Sequence, residues 1–343
     1  MNQFFRAVFS WGFIGVDIFF VISGCVMALV INKNSTGGRE AVQFTTTRLA
    51  RIYIGWWPLF LLYCGWLFSI DQLGPDKDIF NSFSLLLAPP QNLVTAVLWT
   101  LTFELYFYML MGTLILLDKQ YRVPFLKFAF FGVAAYTAYM ALQSRFEPEN
   151  VLISTSAMRF WVSPLLLEFL GGFLVYCYVV DNPMQNRKLW LFTAGLLLAC
   201  GAAYHQYLAR HPGGLEVFYH YPERALLLGG GCCALMGWLL SLPERMNSKW
   251  VTIVSLLGGA SYAIYLLHPL MLSVSSAVFN KINPANSHRT MMFVFMAVVL
   301  IGVSVLYHHF IERPLYLRVR DLINRMTGKP ERNRHEGQPA ATP

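Results

Sequence analysis

Charge is what this sequence has least of. Only 13% of its 343 residues are Asp, Glu, Lys or Arg, while 56% are hydrophobic. A soluble domain of this length would carry roughly a quarter charged residues, so a soluble globular protein is excluded. Several enzyme signatures are also missing: there is no Walker loop, no zinc-ligand spacing and no GxSxG elbow. No internal repeat is visible, and no soluble segment of useful size remains outside the apolar runs. Residues 1–7 are short and hold no cleavable signal pattern. Cys25, Cys64, Cys177, Cys200, Cys232 and Cys233 all fall inside apolar runs, without the spacing of a metal site. A disulfide framework would place them in loops, so they read as small core residues. The glycine groups Gly171–Gly172, Gly229–Gly231 and Gly258–Gly259 also lie in apolar runs, where they suit close helix packing better than phosphate binding.

What is present is a series of apolar runs, each near the roughly 20 residues that cross a bilayer as a helix. Nine spans are expected, at 8–31, 52–70, 97–117, 124–142, 160–180, 189–206, 222–241, 251–276 and 290–311. The fold class is all-α, a polytopic transmembrane bundle over residues 1–327. A polar tail, 328–343, has the Pro- and Gly-rich composition of a disordered segment. Alternate connections, including the C-terminal tail, hold 17 Lys and Arg; the others, with Arg159 and Arg224 among them, hold 8. The richer side is expected to be cytoplasmic, in a bacterial inner membrane, which places the C-terminus inside and the N-terminus outside. The net charge of +8 then reports basic loops rather than a nucleic-acid partner. A start methionine on the outside suggests that a span is missing before it.

Ionisable groups within spans are costly and usually face an interior with a partner. Asp17 is the one charged residue in GVDIFFVISG. It caps a helix, pairs with a basic group, or lines a polar cavity. Glu104 lies in LWTLTFELYFYML, and a carboxylate there should face the bundle near Asp17, with a basic or hydroxyl partner from another span. Glu168, in SPLLLEFLGGFL, could be a structural partner of Arg159. His268, before Pro269 in SYAIYLLHPL, could be an interface histidine or a base. Glu312 opens the tail, and His308 and His309 read as interfacial. Arg48 and Arg51, in TTTRLARIY, share a helical face at the end of the longest internal cytoplasmic loop. They serve either topology or a clamp on an anionic donor, since Arg binds phosphate in bidentate fashion.

In order along the chain, GVDIFFVISG (15–24), RLARIY (48–53), LWTLTFELYFY (98–108), EFLGG (168–172), SYAIYLLHPL (261–270) and IERPLY (311–316) resemble the membrane-bound acyltransferase family 3. That family O-acylates bacterial surface polysaccharides, and the wording here is similar to its exopolysaccharide-modifying subgroup. The resemblance implies ten spans with both termini inside. It also implies transfer of an acyl group, usually acetyl from acetyl-CoA, to a hydroxyl of a lipid-linked or exported glycan. No permanently bound cofactor or metal is expected. The family's first span carries an Arg and, after ten intervening residues, a His regarded as the catalytic base. Almost nothing precedes GVDIFFVISG here. Arg6 and Asp17 stand at the same separation, but Asp17 belongs to the motif of the following span. The expectation is an upstream span lost through a late start assignment or a truncation, with an inactive chain in the truncated case.

Acyl transfer needs a base for the sugar hydroxyl, donors for the oxyanion and cations for the phosphates of coenzyme A. Arg48 and Arg51 are the expected donor-side residues. Asp17, Ser23 and Glu104 are expected to orient groups around the reaction chamber, and His268 is a second candidate base whose role in the family looks more structural. Two other classes compete: a transporter or flippase of a lipid-linked glycan, and a non-catalytic partner of a polysaccharide synthase.

Overall fold

The computed structural model describes residues 12–33, 35–86, 90–146, 163–183, 185–209, 222–243, 248–282 and 286–328. The tail beyond 328 and Arg159 lie outside them. Among the described residues every regular element is helical. The longer ones are α1 (Ile14–Lys33), α2 (Gly38–Ser69), α3 (Ile79–Ser84), α4 (Leu98–Ile115), α5 (Lys119–Phe146), α6 (Leu165–Asp181), α7 (Arg187–Ala209), α8 (Gly230–Leu240), α9 (Ser248–Ile282), α10 (Asn286–Tyr307) and α11 (Arg313–Met326). Two π-helical segments, Ala225–Gly229 and His308–Glu312, lead into α8 and α11. Each of the nine expected spans coincides at least in part with a helix. Five described stretches are long and apolar enough to cross a membrane: Ile14–Ile31, Gly38–Ser69, Leu98–Ile115, Trp250–Phe279 and Met291–Met326.

One boundary differs from expectation. Residues 38–51, expected in a loop, form the first turns of α2. Thr46 and Thr47 turn their hydroxyls back onto the carbonyls of Val42 and Gln43, at 2.7 and 2.6 Å, so the polar run satisfies itself within the helix. Helix α11 packs alongside, with Gln43 Nε2 donating to Asn324 Oδ1 at 2.7 Å and Arg39 donating to the Thr327 carbonyl. Tertiary packing here overrides the weak helix propensity of threonine.

The chain forms two compact units. The first comprises residues 1–37 and 102–246, and the second residues 38–101 and 247–343.

In the first unit α1 packs most extensively on α6, and α8 packs on both α7 and α6. Lipid offers no hydrophobic drive between helices, so close backbone approach supplies the attraction. A Cβ on Gly24 would lie 2.0 Å from the Phe169 carbonyl oxygen, and one on Gly172 would lie 2.1 Å from that of Val21. Above this crossing Phe107 of α4 stacks on Phe169 at 4.3 Å and meets Phe20 edge-on at 5.4 Å. The Cys25 thiol donates to the Gly172 carbonyl at 3.1 Å, and Asp17 lies beside Glu168. The contacts thus advance together along α1 and α6, which run parallel. Arg122, 2% exposed, gathers carbonyls at the ends of α1 and α4: Ile31 at 2.9 Å, Leu117 at 3.0 Å and Ile115 at 3.3 Å. It supplies donors to helix C-termini, whose last carbonyls lack partners within the helix.

In the second unit α2 is the central rod. Pro58 lies inside it and Pro269 inside α9. Tyr262 of α9 donates to the Ile52 carbonyl at 2.9 Å, and Tyr307 of α10 donates to that of Gly55 at 2.8 Å. Short α3 is tied to α2 through its own backbone. Tyr53 donates to Ser84 O at 2.7 Å and Trp56 to Ser82 O at 2.8 Å, so aromatic donors occupy carbonyls at the helix end.

Candidate active site

The expected site residues divide between the units. Asp17, Ser23 and Glu104 belong to the first, and Arg48, Arg51 and His268 to the second.

Asp17 is fully buried, and its base lies within this chain. Arg224 donates Nε to Oδ1 at 3.0 Å and Nη2 to Oδ2 at 2.7 Å, a bidentate pair. The guanidinium also lies 5.5 Å from the centre of the Phe13 ring. Sequence reasoning placed Arg224 in an outer loop. It is in fact 1% exposed and immediately precedes the π-helical turn. Such turns are rare and often mark functional sites, because the extra residue per turn redirects a side chain. The missed signal was arithmetic: two carboxylates within apolar runs need a cation, and Arg224 stands at the edge of the run ALLLGGGCC. Glu168, 1% exposed, belongs to this cluster. It fits there because position 229 is glycine, where a Cβ would lie 2.5 Å from Glu168 Cγ.

Ser23 is half-buried, nearly two turns beyond Asp17 on α1. Glu104, 6% exposed, accepts a hydrogen bond from the Tyr108 hydroxyl, one turn further along α4. Its neighbours Phe103 and Phe107 face Phe20. Glu104 therefore points into protein, as its cost in lipid requires.

In the second unit Pro269 decides the local chemistry. Proline has no N–H, so the carbonyl four residues back, Tyr265 O, loses its helical donor. His268 Nδ1 approaches that oxygen. A carbonyl only accepts, so Nδ1 carries the proton and Nε2 keeps its lone pair. Tyr63 donates its hydroxyl to Leu266 O at 2.7 Å and accepts from Leu270 N at 3.1 Å. One phenol thus bridges the two backbone groups that the next helical step of α9 joins. The Tyr265 hydroxyl meets Thr100 Oγ1 at 2.6 Å. His268 is half-buried, directly before the proline, with a defined tautomer and one basic nitrogen.

Arg51 is exposed on α2, directly before Ile52, whose carbonyl receives Tyr262. Arg48 is half-buried, with its guanidinium 5.7 Å from the Phe44 ring centre. Glu312 is 4% exposed rather than part of an open tail. It meets His308 Nδ1 at 3.0 Å, and its charge is felt with that of Arg51. His309 is exposed at the surface. Tyr262 and His268 are six positions apart, about 9 Å along α9. The arginines therefore stand at one level of the α2–α9 pair and the histidine at another. Among the described residues no group of three His, Cys, Asp or Glu side chains could hold a metal.

A family model described as an acyltransferase domain matches residues 1–309. The chain belongs to this acyltransferase family. It is also similar to the exopolysaccharide production protein ExoZ of Rhizobium meliloti (strain 1021). The two are 26% identical over 326 residues, which cover 91% of this chain and 92% of the relative. No solved structure matches. For an acyltransferase, the second unit has the chemically legible arrangement: cations at one level and a tautomerically fixed imidazole at another.

Proposed function

We propose that this acyltransferase moves an acyl group, acetyl in the first instance, from acyl-CoA to a sugar hydroxyl of an exopolysaccharide or its lipid-linked precursor. The observation that carries the reading is the fixed tautomer of His268 beside Pro269, on the same helix pair as Arg48 and Arg51. An extended donor with phosphates at one end and a thioester at the other needs cations and a base separated in this order. The similarity to ExoZ supports a polysaccharide acceptor.

In the proposed reaction His268 Nε2 takes the proton of the acceptor hydroxyl as its oxygen attacks the thioester carbonyl. The tetrahedral oxyanion collapses and the carbon–sulfur bond breaks. The leaving thiolate then takes the proton from the imidazolium, which returns His268 to its starting tautomer. Nδ1 keeps its proton throughout, because Tyr265 O holds it. Arg48 and Arg51 hold the donor phosphates. Asp17, Ser23 and Glu104 act as orienting groups in their own unit. The enzyme works in the bacterial inner membrane, with its C-terminus on the cytoplasmic side, where the donor is made.

The test is a thioester-dependent acylation assay. Purified chain in lipid nanodiscs is given acetyl-CoA labelled in the acetyl group together with a lipid-linked glycan. Label in the glycan and free coenzyme A in equal amounts support the reading. Glycan that crosses a vesicle bilayer without gaining label would establish the flippase instead.

A further inference from the structure

The first unit buries two carboxylates against one cation. Asp17, Glu168 and Arg224 are 0%, 1% and 1% exposed. Arg224 is committed to Asp17 by two hydrogen bonds. Glu168 lies within hydrogen-bonding reach of Asp17. Among the described residues no N–H or O–H donor reaches either of its oxygens. Two ionised carboxylates have only acceptors to offer each other, so their contact is repulsive until a proton lies between them.

Among the described residues the surroundings supply no second cation. Asp17 faces Glu168 from α1, Arg224 from the turn before the π-helical segment, and the Cys232 and Cys233 thiols from α8. The His205 ring of α7 lies tilted against Phe13 at 4.3 Å, near Arg224. With both acids ionised the site would carry a net negative charge inside the apolar bundle, which is strongly disfavoured. One proton makes it neutral and supplies the missing donor.

We propose that Asp17, Glu168 and Arg224 form a buried proton-binding site in which the two carboxylates share one proton, held on Glu168 while Arg224 holds Asp17. When the guanidinium moves from Asp17 to Glu168, the O–H bond on Glu168 breaks and one on Asp17 forms. The site stays neutral in both arrangements. Arg224 is well placed for that exchange because the wide π-helical turn directly follows it. The inference does not depend on the donor, the acceptor or the role of His268.

The test is infrared spectroscopy of the full chain in nanodiscs at neutral pH, read at the carbonyl stretch of a protonated carboxylic acid. The unmodified chain should show this band, and Glu168→Gln should lose one carboxylic acid's worth of it. Asp17→Asn should lose the same intensity although Glu168 is still present, because Glu168 must then ionise to match Arg224. Absence of the band from the unmodified chain overturns the proposal, and so does a Glu168→Gln spectrum with undiminished intensity. A folded Asp17→Asn chain with undiminished intensity overturns it too, so the test stands if Glu168→Gln fails to fold.

Discussion

Arg224 and Asp17 lie 207 positions apart in the chain and meet through two hydrogen bonds, of 3.0 and 2.7 Å, with neither side chain reachable by solvent. The pair is asymmetric, because Glu168 stands ready to replace Asp17 but, among the described residues, nothing comparable stands ready to replace Arg224. Arg224→Met should therefore destabilise the chain by about 3–5 kcal/mol, the cost of a buried charge deprived of its partner. Asp17→Asn should cost clearly less. Thermal unfolding of both variants in the same detergent checks the order; equal losses would contradict it.

The crossing of α1 and α6 makes a second prediction. Gly172→Ala adds a Cβ that would lie 2.1 Å from a backbone oxygen, and backbone cannot rotate out of the way. The helices must separate, at a cost of about 1–3 kcal/mol or more. Gly258→Ala, with nothing within 4 Å of the added carbon, serves as the control and should leave the unfolding temperature unchanged.

Tyr63 gives a third. Tyr63→Phe removes both the donor to Leu266 O and the acceptor for Leu270 N. Leaving buried backbone groups unsatisfied costs about 1–3 kcal/mol each. Loss of stability from removal of a single oxygen, measured by thermal unfolding, is expected. An unchanged midpoint would mean that Leu266 O and Leu270 N are satisfied without the phenol.

The donor clamp is tested through Arg48 and Arg51. Replacing both with Gln should weaken acyl-CoA binding while insertion stays normal, at about 1.5–3 kcal/mol for each charge-assisted contact. Isothermal titration with acetyl-CoA reads this directly. A double variant that binds like the parent removes the clamp. Glu104→Gln should abolish transfer with a smaller effect on expression, and a fully active Gln variant would remove Glu104 from the chemistry.

Much of the fold was legible because membrane helices follow from apolar run length alone. The close packing expected of glycine was legible too at Gly172, though not at Gly258, since composition cannot say which face of a helix meets a neighbour. Arg224 was not legible. Its flanks, YHYPER, are polar, and only the fold carries it under the bundle. The early start of α2 was hidden for a related reason, because α11, almost 300 residues away, supplies the packing that makes the Thr-rich segment helical. Asp17, Glu104 and His268 stood out because an ionisable group in an apolar run is conspicuous. What each of them touches could not be read, since hydrogen-bond partners such as Tyr63 and Leu270 are brought together from distant positions.

The most direct measurement compares two substitutions of His268 in the labelled-acetyl assay. Asn presents an N–H near the position of Nδ1, so His268→Asn can still satisfy Tyr265 O but has no base at Nε2. The prediction is normal insertion and stability with transfer reduced by roughly 10²–10⁴-fold, the usual contribution of a general base. His268→Gln, whose amide lies nearer the position of Nε2, should lose both transfer and stability. Transfer by His268→Asn at the parent's rate would contradict the account and leave His268 as a cap for the carbonyl that Pro269 strands.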